Sequence, residues 1–408
     1  MALIGICLSE LKERTMPPLK QLTLATVSLG AFIGATAMTP NGANAQGSPP
    51  AAQKPMAPAA MKDDSGTMQR ADKEDMAPVL KKLMELGAKP VEQLTVEQAR
   101  KQPTPADAVN ALVKEQGKDP MAVMAALKVA KKDMTYPTAG GTQPIRIYTP
   151  EGASGPLPVI VYIHGGGWVI ADIDTYEASA MGLARGANAI VASVEYRKGP
   201  ENKFPASHED AFAAYKWVLE NAKSWNGDTS RVAIAGESAG GNMAVTTSII
   251  ARDQKVQMPS HMLLVYPVAG TDLTTPSYKK NENALPLSKG GIEWFVKHYL
   301  GKPEDMKSPL LNLYSQADLK GLPPATIINA EIDPLLSDGE LLAGALKKAG
   351  VDVTREVHDG VTHEFFGMAA VLDDAKRAQD VAVKELKQAF SSAKSTSSTT
   401  NAPSTQSK

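Results

Sequence analysis

The five residues Gly236-Glu237-Ser238-Ala239-Gly240 stand between an apolar run, Arg231-Val232-Ala233-Ile234-Ala235, and a stretch opening Gly241-Asn242-Met243-Ala244-Val245 that reads as a helix. A serine hydroxyl is a weak nucleophile at neutral pH. It has to be projected clear of the backbone and given a base, and a sharp strand-to-helix turn does the first. Gly236 and Gly240 fit such a turn, because a side chain at either place would collide with the neighbouring strand or helix. A phosphate cradle would need the phosphate-loop lysine, which is absent. The run His164-Gly165-Gly166-Gly167-Trp168 begins 74 residues before Ser238, directly after an apolar stretch ending at Ile163. Glycines without Cβ let N–H groups approach a developing alkoxide, so the N–H groups of Gly165, Gly166 and Ala239 are the candidate oxyanion donors. Losing one donor of this kind typically costs about 10²–10³ in turnover. His164 reads as a structural histidine steadying the turn, since a base must reach Ser238 Oγ from the side opposite the oxyanion.

Between these motifs lie Glu195-Tyr196-Arg197-Lys198-Gly199-Pro200-Glu201 and Phe204-Pro205-Ala206. Taken together, the motifs resemble the hormone-sensitive-lipase-like carboxylesterases, the bacterial family IV esterases, over residues 76–390. That family's middle motif usually reads aspartate, tyrosine, arginine, leucine, alanine, proline, glutamate. Glu195, Lys198 and Gly199 depart from it and leave the catalytic positions untouched.

For an α/β-hydrolase, the acid and then the histidine follow the serine. The histidines after Ser238 are His261, His298, His358 and His363. His261 opens a strand and His298 lies in the amphipathic run 293–300, so both suit structural or solvated roles. His363 follows the last strand and matches the family's base, with His358 as the alternative. Asp333, after the strand candidate 325–330, matches the family's aspartate-proline-leucine motif. Pro334 keeps it out of helical backbone, where its carboxylate can accept the Nδ1–H of His363. Leu336 stands where the family often has arginine. Asp338 is the alternative acid, although a place at the start of the next helix gives it a structural reason to exist.

The resemblance implies acyl transfer through Ser238, His363 and Asp333, with no metal and no cofactor. No H-E-x-x-H spacing is present to suggest a metal hydrolase. The expected partner is a small-molecule ester with a short to medium acyl chain or an aryl group. Amide hydrolysis or deacetylation on the same triad is the alternative, because neither Ser238 nor His363 reads the leaving group. A non-catalytic hydrolase-like binding protein would have no physical reason to keep all three residues.

These residues need an α/β scaffold to hold them. Ile145-Arg146-Ile147-Tyr148 alternates as a half-buried strand does, whereas 157–163 and 189–194 are continuous apolar runs of the kind buried on both faces. Further strands are expected at 231–235, 262–266, 325–330 and 353–357, with helices at about 239–251, 338–349 and 368–390. Ser207 with Asp210 three residues on resembles a capping box, and Phe212, Tyr215 and Leu219 recur on one helical face. The order predicts a mostly parallel central sheet with helices on both faces, and the resemblance implies an α/β-hydrolase catalytic domain over 136–390. Active sites in such sheets lie beyond the carboxyl ends of the strands. Residues 76–135 read as a small N-terminal helical region, too small to fold alone, which the resemblance implies is a cap over the pocket.

The ends differ in character. Lys12, Arg14 and Lys20 precede an uncharged stretch from Leu22 to Met38, and Ala43-Asn44-Ala45 supplies small residues for cleavage, so 1–45 reads as a signal peptide. Its start is Met1 or Met16. Export to the periplasm or medium would remove Cys7, the only cysteine, and leave a chain without a disulfide or stable membrane insertion. Residues 46–75 contain no Val, Ile, Leu or aromatic residue and are expected to be a disordered linker; 391–408, rich in Ser and Thr, a disordered tail. Across 408 residues, 43 basic side chains meet 44 acidic ones, so no sequence-wide field draws in nucleic acid. With 43% hydrophobic and 21% charged residues the composition is that of a globular protein.

Overall fold

A computed structural model describes residues 66–71 and 76–399. The expected signal peptide, most of the expected linker and residues 400–408 lie outside the described residues. Five short helices come first: α1 (Thr67–Ala71), α2 (Met76–Glu85), α3 (Val96–Ala99), α4 (Pro105–Glu115) and α5 (Pro120–Ala125). Thr104 and Asp107 cap α4 reciprocally, with Pro105 in the first turn.

Strands then alternate with helices: β1 (Val129–Thr138), β2 (Gly141–Pro150), β3 (Leu157–Ile163), α6 (Glu177–Ala187), β4 (Ile190–Val194), α7 (Ala206–Asn221), β5 (Gly227–Glu237), α8 (Ala239–Asp253) and β6 (Met262–Val265). After β6 come α9 (Pro276–Lys280), α10 (Lys289–Tyr299), α11 (Leu313–Gln316), β7 (Ala325–Ile332), α12 (Leu336–Lys348), β8 (Val353–Thr362) and α13 (Asp373–Thr399).

The strands form one sheet in the order β1-β2-β4-β3-β5-β6-β7-β8. β1, β2 and β4 pair antiparallel, and every pair from β4 to β8 is parallel. All seven residues of β3 are buried. Because successive side chains point to opposite faces, Val159, Val161 and Ile163 enter one core with Phe212 of α7, Met243 of α8 and Leu342 of α12. Ile160 and Tyr162 enter the other core, with Leu183 of α6 and Leu386 of α13. A one-residue slip would exchange the two sets, so the continuous apolar run specifies register only because both layers are filled.

Several expectations need correction. The cap does not reach residue 135, because 129–138 is the edge strand β1, zipped to β2 from Val129↔Pro150 to Thr138↔Gly141. Only Val129 and Tyr136 of that strand are buried, so its sequence carries no apolar alternation to read. The helix α6 was not foreseen either. Its buried face is built largely of Ala and Ser with Met181 and Leu183, too little side-chain contrast for a periodic signal. Ser207 is not a cap: its hydroxyl donates to the Arg197 carbonyl, and Asp210 accepts from the Arg197 N–H and guanidinium instead. The tail does not begin at 391. α13 continues to Thr399, and Ser391 and Ser392 donate to the carbonyls four residues back. Nor is the end of the expected linker unstructured, since Thr67 and Ala71 of α1 are buried and Arg70 Nη2 donates to Asn281 at 2.8 Å.

The roof over the carboxyl ends of the strands has two parts rather than one. Residues between Leu83 and Pro105 line the cavity together with α10, which lies in the long connection between β6 and β7. Trp294 of α10 donates to the Leu94 carbonyl at 3.0 Å, and Ser288 Oγ to Glu92 at 2.8 Å. Arg100, just after α3, ties the roof to the body: it donates to the carbonyls of Val169 and Gly199 at 2.9 and 2.7 Å and holds Glu201 with two bonds of 2.8 Å. Such hydrogen bonds are each worth about 1 kcal/mol net. Arg100→Ala is therefore expected to lower the melting temperature by about 2–4 °C per kcal/mol lost, read by calorimetry; an unchanged melting curve would mean that apolar contacts alone hold the roof.

Candidate active site

Register brings the functional positions to one edge. Ile163 pairs with Gly236, so the His164 loop and Ser238 emerge from adjacent strands. Ile332 pairs with Thr362, so the next residue of each strand, Asp333 and His363, are neighbours.

Ser238 sits between β5 and α8 with φ 56° and ψ −118°, a backbone conformation that L residues rarely adopt. A Cβ on Gly240 would run into the carbonyl oxygen of Ile163, and one on Gly236 into that of Gly240, so the strained turn exists only because both are glycine. Ser238 Oγ lies 3.1 Å from Nε2 of His363, and Nδ1 of His363 lies 2.7 Å from Oδ2 of Asp333. Asp333 in turn accepts the Leu335 N–H on Oδ1 at 2.8 Å, and its carbonyl accepts from Asn281 at 2.9 Å. All three side chains are buried, with Ser238 and His363 lining a cavity of about 580 Å³ beneath the roof, a volume suited to a small molecule.

Gly166 and Gly167, with φ of 90° and 57°, line the same cavity. Among the described residues the N–H groups of Gly165, Gly166, Gly167 and Ala239 have no hydrogen-bond acceptor; of the expected glycine donors Gly166 lines the cavity and Gly165 does not, and the N–H of Ala239 opens α8, where the helix dipole favours negative charge. His164 is fully buried away from Ser238, with Nδ1 2.9 Å from the Gly165 carbonyl and Nε2 3.2 Å from Glu195. It steadies the loop, as expected.

The middle motif now has physical meaning. The Tyr196 hydroxyl lies 2.8 and 3.0 Å from the carbonyls of Gly165 and His164, Arg197 clamps Asp210, and Glu201 receives Arg100. Burial alone would push the Glu195 carboxyl up, but His164 and Lys198 hold it down at about 2. Lys198 Nζ is 2.5 Å from Glu195, so two of the three departures from the family's motif pair with each other.

The alternatives lie elsewhere. His358 turns to Asp374 of α13 at 3.2 Å. His261 meets Thr326 at 2.8 Å and is lowered by burial to about 4, while His298 packs on Trp294. Asp338 accepts from the N–H groups of Ala269 and Gly270 and is pushed by burial up to about 7. Among the described residues no group of three His, Cys, Asp or Glu side chains is placed to hold a metal ion, and no helix is long and apolar enough to cross a membrane.

Two participants were invisible in the sequence. Glu364, at φ 72°, lines the cavity beside His363 and accepts from the Tyr176 hydroxyl at 2.6 Å. Glu237 lies behind Ser238, gripped by the hydroxyls of Tyr162 and Tyr266, and burial with the nearby Glu364 pushes it up to about 7. Burial opposes the charged form of His363, yet Asp333, Glu364 and Glu237 outweigh it and raise the ring above its ordinary value.

Comparison with known proteins agrees with this architecture. Residues 160–367 match a family model described as alpha/beta hydrolase fold. The chain is 38% identical over 277 residues to carboxylesterase NlhH of Mycobacterium tuberculosis, covering 67% of this chain and 86% of that one. It is 31% identical to an ethyl acetate hydrolase of Pseudomonas putida, over 63% of this chain and 82% of that one. Among solved structures, an esterase of Pyrobaculum calidifontis superposes with a TM-score of 0.68 at 33% identity, over 77% of this chain and 98% of that one.

Proposed function

The chain belongs to the α/β-hydrolase-fold family, among the hormone-sensitive-lipase-like carboxylic ester hydrolases, and from that premise we propose that it cleaves short- to medium-chain acyl or aryl esters through an acyl-enzyme on Ser238. The observation that carries this reading is the hydrogen-bonded chain from Ser238 through His363 to Asp333, at 3.1 and 2.7 Å. Nε2 of His363 takes the serine proton as Oγ attacks the ester carbonyl. The tetrahedral oxyanion is received by the unsatisfied N–H groups of Gly165, Gly166 and Ala239. The leaving alkoxide takes the proton back from His363. Water, deprotonated by the same nitrogen, then releases the acyl group and frees Ser238. Asp333 holds the ring in the tautomer that leaves Nε2 free to accept. The cavity of about 580 Å³ and the similarity to a relative named ethyl acetate hydrolase favour a modest acyl chain. We also propose that residues 1–45 direct export, on the order of charged, apolar and small-residue segments within them.

Ser238→Ala and His363→Ala are each expected to remove at least about 10⁴ of the turnover of a p-nitrophenyl acyl series, and undiminished turnover in either would overturn the assignment. The base must be neutral to act, and His363 is raised, so kcat/KM is expected to rise with pH through a midpoint above 6.5. In Asp333→Asn that midpoint is expected to fall, as a pH–rate profile would record. Exported protein is expected to begin at Gln46, and N-terminal sequencing that still finds Cys7 would refute the processing site.

A further inference from the structure

The Tyr176–Glu364 pair lies outside the triad and joins its two sides. Glu364 follows His363 directly, while Tyr176 immediately precedes α6. The Tyr176 hydroxyl packs so closely on the glycine loop that a Cβ on Gly165 would run into it. One hydrogen bond of 2.6 Å therefore connects the loop of the oxyanion donors to the loop of the base. The same Glu364 oxygen lies 3.8 Å from Nε2 of His363. That distance is too long for a hydrogen bond, so the carboxylate does not compete with Ser238 for the nitrogen. It is short enough for a Coulombic interaction between the half-buried Glu364 and the buried His363.

We propose that Glu364 is a positioning residue that stabilises the imidazolium formed when His363 takes the Ser238 proton, and that Tyr176 holds its carboxylate at the distance where it attracts the cation without capturing the nitrogen. The inference rests on the reading of Ser238 and His363 given above. Other ionisable groups face this pair from every side. Asp333 approaches His363 from β7, Glu237 from β5 and Ser238 from the turn before α8, and the Tyr266 ring lies 4.5 Å from the imidazole. Burial, with Asp333, pushes the Glu364 carboxyl above its ordinary value, while His363, the Tyr176 hydroxyl and His164 favour its charged form. Glu237 is already occupied by two tyrosine hydroxyls and Asp333 by Nδ1, which leaves Glu364 as the carboxylate facing Nε2.

The test is the pH dependence of p-nitrophenyl butyrate hydrolysis. Glu364→Gln keeps the size and the bond to Tyr176 and removes the charge. It is expected to move the acid limb of kcat/KM down by about half to one pH unit and to lower kcat about five- to tenfold. Tyr176→Phe frees the carboxylate to pair directly with Nε2, which moves the acid limb up and also lowers kcat. A structural defect alone would lower activity without moving the limb in opposite directions. An acid limb in Glu364→Gln that stays in place or rises overturns the inference. If that variant does not fold, an unmoved or lowered limb in Tyr176→Phe overturns it. Turnover retained in Ser238→Ala or His363→Ala would instead sink the triad itself, so the two failures are told apart.

Discussion

The parallel pairing of Ile332 with Thr362 sets the next residue of each strand side by side, and Asp333 and His363 meet there although 30 residues separate them. A parallel sheet has all its strand ends facing one way, so each turn off that edge delivers a side chain into the same small volume. The neighbouring pairing of Ile163 with Gly236 does the same for the glycine loop and the serine. Neither pairing would hold without the two apolar layers that keep each strand from slipping, so the chemistry depends on cores that never touch a substrate.

Burying a carboxylate is costly unless its oxygens are satisfied, and three of them, Asp333, Glu237 and Glu364, surround one histidine. Each has a donor of its own: the Leu335 N–H, the hydroxyls of Tyr162 and Tyr266, and the hydroxyl of Tyr176. Phenols suit this task because they donate a strong hydrogen bond without bringing a positive charge that would cancel the field at His363. The carboxyl groups and the donors that hold them are fixed in place before the reaction starts, so little has to reorganise when the ring becomes cationic.

What could be read from the chain follows from how local each signal is. The turn at Ser238, the glycine loop and the aspartate-proline pair are written in adjacent residues, and the strands around them are buried on both faces, which leaves long apolar runs. Glu364 and Tyr176 are 188 residues apart and share no motif, so only the folded sheet shows that they meet. The edge strand β1 and the small-residue helix α6 were missed for a related reason: each is held by backbone pairing or close approach rather than by a stripe of large side chains. The roof was half legible, because its second part is an insertion between β6 and β7 whose partner lies about 200 residues earlier in the chain.

The short helix α1 has a composition that suggests a mere tether, yet it rests against β7 and β8, the strands that end at Asp333 and His363. Arg70 grips the oxygen of the Asn281 side chain, and the nitrogen of the same amide grips the Asp333 backbone. Two hydrogen bonds thus join this helix, which lines no part of the cavity, to the backbone of the acid that orients the base.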